Sequence, residues 1–441
     1  MKFVAIWSKR ENANRKEDTS RVGKVATSVL ESQPAIDSET EAQILIQPSY
    51  NKGIVILDEQ AKTAPLLVGA TSKTKVPKPN QKRMTGMMRI QRSSGHKLTA
   101  QMHNLSIAIV VIGRNEGLRL RVCLESLLVQ IVVYVDSGSS DDSVELANSF
   151  DAVVVELDMT RPFSAARARN EGFNRAMQKY PDTQFVQFVD GDCNIVDGWL
   201  EAAGKFMDEN PTIAAVAGRL RERAPDLSVY NRLCDLEWDT PVGNVDACGG
   251  VAMVRACAFE QVGGFDESVV AGEEPELCVR LRLAGWKIHR LDAEMALHDA
   301  AMTRFGQWWK RAVRGGYGAM DVASRFEKSS GGMFSRQIRS ARIWGIGWPI
   351  TAILVTFAAM AIYGWQASII AAICSLAILP MQIVRVAVKS LQRCGDTRTA
   401  FAFSVFMMFE KWANLQGQYR YFRDLRAGRH LSLIEYKQPA G

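Results

Sequence analysis

Asp190-Gly191-Asp192 sets two carboxylates one residue apart, with a glycine between them that lets the backbone turn sharply. Such a pair can hold one hard divalent cation. A cation so held bridges the two phosphates of a nucleotide diphosphate and neutralises the charge that grows as the diphosphate departs. The tripeptide alone is also ordinary turn chemistry. A second acidic group, Gly272-Glu273-Glu274-Pro275-Glu276-Leu277, opens a helical pattern that runs to Leu283, and Pro275 suits a first helical turn. A carboxylate at a helix N-terminus is well placed to accept a proton from an attacking hydroxyl. The plain alternative is that these glutamates only complement the helix dipole.

The elements that must position these groups begin at Leu105, where strand and helix patterns start to alternate. Apolar runs at 107–112, 131–135, 152–157 and 185–189 read as strands. Helical patterns at 118–128, 142–150 and 164–180 lie between them, the second capped by Ser139, Ser140 or Asp141. Short buried strands joined by helices imply an α/β fold with a doubly wound, largely parallel sheet. Ligands of such sheets bind beyond the carboxyl ends of the strands, which is where Arg114, Asn115, Asp136, Asp190 and Asp192 fall. A dinucleotide-binding oxidoreductase would need a glycine-rich turn after the first strand. Here that turn reads Gly113-Arg114-Asn115-Glu116-Gly117-Leu118, with bulky side chains where backbone must approach pyrophosphate.

Val110-Val111-Ile112-Gly113-Arg114-Asn115-Glu116, followed by Val135-Asp136-Ser137-Gly138-Ser139-Ser140-Asp141, resembles the opening of family 2 glycosyltransferases with the GT-A fold. Pro162-Phe163-Ser164, Arg169-Asn170-Glu171-Gly172, the aspartate pair, Cys248-Gly249-Gly250 and Gly263-Gly264-Phe265-Asp266 follow in that family's order, so the resemblance covers roughly 106–325. It implies a GT-A nucleotide-sugar-binding fold with a mixed, doubly wound sheet, and inverting transfer of a sugar from a nucleotide-diphosphate sugar. It also assigns residues. Arg114, Asn115, Glu116 and Asp136 would hold the donor's base and ribose, and Arg167 and Asn170 its diphosphate side, with Asp190 and Gly191 also on the donor. Asp190, Asp192 and His298 would hold Mg2+ or Mn2+, although His298 also has a plain structural reading. Glu274 would be the general base, with Glu273 as the alternative, and it departs from the pattern because an aspartate is usual there. Gln307-Trp308-Trp309-Lys310-Arg311 does not match the Gln-x-x-Arg-Trp signature of processive synthases, which points to addition of a single sugar. A related-fold nucleotidyltransferase and a catalytically silent scaffold are the competing readings.

No charged residue appears between Arg342 and Arg385, and Gly364-Trp365-Gln366 splits this interval into halves of about twenty residues, each long enough to span a bilayer. Basic residues on both outer flanks place both ends on the cytoplasmic side of the cell inner membrane. The net charge of +7 alone does not separate nucleic acid from an anionic membrane, but this placement favours the membrane, and no nucleic-acid partner is expected. The eight cysteines form no Cys-x-x-Cys pair and suggest a reducing compartment. The expected organisation is a mostly disordered extension at 1–103 with strand-like pieces at 43–46 and 53–57, and a catalytic domain at 104–330. Two transmembrane helices at 343–388 and a cytoplasmic amphipathic tail at 395–441 follow, the tail lying on the membrane surface. A saccharide or lipid-linked acceptor suits an enzyme anchored there.

Overall fold

The computed structural model describes residues 106–428, apart from 129, 327–331 and 333, and three strands before them. The chain divides into two units, Met1–Gln91 and Arg92–Gly441. In the first, β1 (Val4–Ser8), β2 (Gln43–Ser49) and β3 (Lys52–Asp58) form an antiparallel sheet in the order β1-β3-β2. The two strand-like pieces read from sequence fall in β2 and β3. The disorder expected for the rest of 1–103, and the last part of the tail from 429, lie outside the described residues.

The second unit opens with β4 (Ile107–Gly113), α1 (Leu118–Glu125), β5 (Ile131–Asp136), α2 (Ser143–Ser149) and β6 (Val153–Glu156). It continues through α3 (Ala165–Lys179), β7 (Phe185–Asp190), β8 (Cys193–Ile195), α4 (Trp199–Glu209), β9 (Ile213–Glu222) and α5 (Val229–Trp238). Then come β10 (Gly243–Val245), β11 (Ala252–Arg255), α6 (Ala256–Gln261), α7 (Glu273–Leu283) and β12 (Lys287–His298). The sheet order is β10-β12-β9-β11-β7-β4-β5-β6, with β8 paired to β12. The β7-β4-β5-β6 stretch is parallel, whereas β11 runs antiparallel to both β7 and β9, so the sheet is mixed.

Strand alternation sends Ile109 and Val111 of β4 to one apolar layer, with Tyr134, Phe185, Trp199 and Met253, and Val110 to the other, with Val133, Phe173, Phe188 and Phe259. Each such side chain contributes about 1.5–3 kcal/mol when fully buried. Helix α3 lies close on the second layer because residue 172 is glycine. A Cβ there would stand 2.3 Å from Val110 Cγ1, nearer than atoms can pack.

After β12 the chain forms α8 (Phe305–Arg325) and α9 (Ser335–Arg342), which passes through a wider π-type turn at Ile343–Gly347 into α10 (Trp348–Tyr363). Gly364, with φ 86°, reverses the chain into α11 (Trp365–Cys394). Two segments, Ser335–Tyr363 and Trp365–Cys394, are long and apolar enough to cross a membrane by length and composition. Their large side chains, among them Leu354, Phe357, Ile370 and Leu376, are exposed.

The final helix, α12 (Thr397–Arg426), makes up most of the segment read as an amphipathic tail. Its N-cap Asp396 accepts from Thr399 N–H, and the helix then packs along α8. Ala413 and Asn414 of α12 are buried, and Trp309 Nε1 donates to Gln416 Oε1 at 2.8 Å. Small residues let the two backbones meet: a Cβ at Gly316 would lie 2.3 Å from Asn414 O, and one at Gly417 would lie 2.2 Å from Val313 O. Backbone cannot yield as a flexible side chain does. Gly417→Ala is therefore expected to separate the helices and lower stability by about 1–3 kcal/mol, the usual range for overpacking, read as a shift of the thermal unfolding midpoint. An unchanged midpoint would show that the helices do not meet here.

Candidate active site

The site is assembled at the carboxyl ends of β4 and β7. The loops after β4 and β5 are tied by Asn115, whose φ of 54° turns its backbone N–H to Ser139 Oγ (2.9 Å) while its Oδ1 accepts from Ser140 N–H (2.7 Å). Arg114 stacks over the Phe163 ring at 4.5 Å, and Glu116 pairs with Arg119 at 2.9 Å. Gly191 sits against β4, where a Cβ would approach Ile112 O to 3.2 Å. Arg114, Asn115, Glu116, Phe163 and Gly191 line one large cleft of about 1380 Å³ with Asp190, Asp192, Arg169 and Glu273, and its far wall is built by α8 and α12.

Arg169 organises the cleft. Its side chain is 3% exposed, and it donates through Nη2 to Asp190 Oδ1 (2.8 Å) and through Nη1 to Glu273 Oε1 (3.0 Å). Burial alone would lower the guanidinium pKa, but the Asp190 and Glu273 carboxylates outweigh it and hold the value above the ordinary one. Gly250 makes room for this bridge, since a Cβ there would lie 2.8 Å from Arg169 Nη2. Beside it, buried Asp192 lies 3.4 Å from His298 Nε2, and the imidazole meets Trp238 edge-on at 4.5 Å. Burial holds the His298 pKa below its ordinary value against the pull of Asp190 and Glu222. A neutral imidazole next to a carboxylate is a ligand pair suited to a divalent cation, and with Cys193 these side chains lie close enough to offer ligand atoms to one ion.

Four residues assigned from resemblance are placed elsewhere. Asp136 is spent within its own loop: its oxygens accept from Tyr134 OH, Ser139 Oγ and the N–H groups of Gly138 and Ser139. Arg167 donates to the carbonyls of Asp158, Arg161 and Pro162, clamping the loop before α3. Asn170 brackets the backbone of Phe265, donating to its carbonyl and accepting from its N–H. Glu274 faces away from the cleft, where Oε1 accepts from Cys248 N–H (2.6 Å) and Cys278 Sγ (2.9 Å). Successive helical residues are about 100° apart, so at the start of α7 only one of two adjacent glutamates can face the cleft. That one is Glu273.

Arg169 was not singled out from sequence, yet the signal was present. It lies two residues after Arg167, about 200° around the helix, so once Ser164 caps α3 the two arginines must point to opposite sides.

A mixed sheet with paired aspartates at the end of a central strand, facing a large cleft, is the arrangement expected of a GT-A fold. Residues 108–241 match the family Glycosyl transferase family 2. It is 33% identical over 236 residues to the pre-mycofactocin glycosyltransferase of Mycobacterium tuberculosis, an overlap of 50% of this chain and 48% of that protein. It is 23% identical over 203 residues to an O-antigen chain rhamnosyltransferase of Salmonella typhimurium, covering 42% of this chain and 63% of the other. The chain thus spans between about half and under two thirds of the length of these curated relatives. Among solved structures, it is similar to a mannosyltransferase of Pyrobaculum calidifontis in complex with GDP-Man and Mn2+. The TM-score is 0.46 and the identity 14%, over 72% of this chain and 87% of that one.

Proposed function

We propose that the chain moves a sugar from a nucleotide-diphosphate sugar to a hydroxyl of a saccharide or lipid-linked acceptor at the cytoplasmic face of the inner membrane. One observation carries this reading: buried Arg169 holds a strand-end carboxylate, Asp190, and a cleft-facing glutamate, Glu273, in one site. The two curated relatives, whose names are those of glycosyltransferases, support it. The exposed apolar hairpin supports the membrane placement, since an anchor confines enzyme and lipid-borne acceptor to one surface.

Glu273 is the general base in this mechanism. It takes the proton of the acceptor hydroxyl as that oxygen forms its bond to the anomeric carbon. The bond from that carbon to the diphosphate breaks on the opposite face, and its electron pair leaves with the diphosphate, so configuration inverts. Arg169 orients Glu273 through its Nη1 contact. Arg114, Asn115 and Glu116 flank the donor at the end of β4. Asp190, Asp192 and His298 would hold Mg2+ or Mn2+, which when bound neutralises charge on the departing diphosphate.

The test is a panel of nucleotide-diphosphate sugars incubated with the full-length protein in neutral detergent, with release of nucleoside diphosphate as the readout. At least one sugar nucleotide is expected to be cleaved, and excess chelator or Asp192→Asn should reduce that rate by about 10²-fold or more, the scale of several kcal/mol of charge stabilisation. Unimpaired cleavage in chelator by both proteins would remove the metal from the mechanism. No cleavage of any donor would remove the activity.

A further inference from the structure

We infer that the wall of the cleft built by α8, α9 and α12 is a binding site for a phosphate ester carried by the acceptor, with Arg314, Arg336 and Lys411 as its cations. The inference rests on the proposed transfer reaction and names the acceptor's chemistry. All three side chains line the same cleft as Asp190 and Glu273. Among the described residues none of the three has an ion-pair partner, although other arginines around the site do: Arg169 with Asp190 and Glu273, Arg311 with Glu237, Arg325 with Asp321. These three cations share their wall with one carboxylate, Glu410, which they outnumber, and a cleft with low-dielectric walls focuses the remaining positive field on whatever enters it. A phosphate ester offers the compensating charge and several acceptor oxygens.

Position distinguishes this site from the donor diphosphate's. Arg336 lies on α9, which leads directly into the first apolar helix, and Arg393, in the last turn of the second, lines the same cleft. Arg393 itself is held by the carbonyls of Leu236 and Asp239, so it fixes the hairpin's exit against α5. The cleft therefore reaches from the strand-end carboxylates to both places where the apolar hairpin leaves the fold. A headgroup phosphate arriving along that hairpin would enter the cleft whose wall carries these cations. The apolar cleft residues Phe403 and Phe406 of α12 provide a surface for the adjoining chain.

The experiment measures equilibrium binding to the full-length protein in nanodiscs of phosphatidylcholine, with dodecyl phosphate, dodecanol, inorganic phosphate and UDP and GDP as probes. Wild type should bind dodecyl phosphate at least tenfold more tightly than dodecanol. Arg314→Gln combined with Lys411→Gln should weaken dodecyl phosphate by tenfold or more and shift nucleoside diphosphate affinity by less than threefold. Arg336→Gln, on a different helix, supplies an independent variant and should weaken dodecyl phosphate at least threefold. Inorganic phosphate binding as tightly as dodecyl phosphate would assign the site to free phosphate and overturn its link to a lipid. Equal loss of nucleoside diphosphate and dodecyl phosphate would assign the cations to the donor and overturn the inference, as would unchanged dodecyl phosphate affinity in folded variants. Failure of the transfer reading is separate, because it appears as absent nucleoside diphosphate binding by the wild type.

Discussion

Glu273→Gln is expected to reduce sugar transfer by about 10²–10⁴-fold while donor affinity stays nearly constant, because an amide keeps the size and the acceptor oxygen but takes no proton. The neighbouring glutamate provides the contrast. Glu274 accepts from Cys248 N–H and Cys278 Sγ behind the cleft, so Glu274→Ala leaves a buried N–H unsatisfied and should cost about 1–3 kcal/mol of stability. Transfer per folded molecule should fall only several-fold. Product formation and thermal unfolding, measured on both variants under one set of conditions, separate the roles. If Glu273→Gln keeps more than a tenth of wild-type transfer and folded Glu274→Ala loses nearly all of it, the base is Glu274.

Arg169→Met should have the second largest effect, acting on stability and turnover together. Removing a buried cation that serves two carboxylates leaves both without compensation, a change that typically costs about 3–5 kcal/mol. Asp190 remains one third exposed and keeps contact with water, which places the loss toward the lower end. Arg169→Lys should not rescue it: a single ammonium lacks the planar fork that reaches Asp190 through one nitrogen and Glu273 through another. Turnover should collapse in both variants, since Glu273 loses the group that orients it. Near-normal stability and transfer in Arg169→Lys would show that charge alone suffices.

The sequence made the strand ends legible because their pattern is local. Apolar runs stopping at Gly113, Asp136 and Asp190 locate the carboxyl edge of the sheet, and Asp190, Gly191 and Asp192 do line the cleft. It could not show which way a polar side chain turns at that edge. Asp136 and Asn170 sit in the right blocks, but each satisfies a nearby backbone, and that choice depends on loop conformation. Glu273 and Glu274 differ only by helical phase, which depends on where α7 starts. The least legible part was α12: its aromatic and basic residues suit a membrane surface as well as a protein groove, and the pattern does not reveal that Gly417 meets α8.

The return of α12 to α8 means that the apolar hairpin interrupts the cleft-forming fold and is not appended to it. Translation proceeds from the N-terminus, so the sheet, its aspartates and both hairpin helices emerge from the ribosome before the wall bearing Phe403, Glu410 and Lys411 exists. The last wall can close only after the hairpin has been made. Assembly order itself thus keeps the cleft incomplete until the last helix has been made.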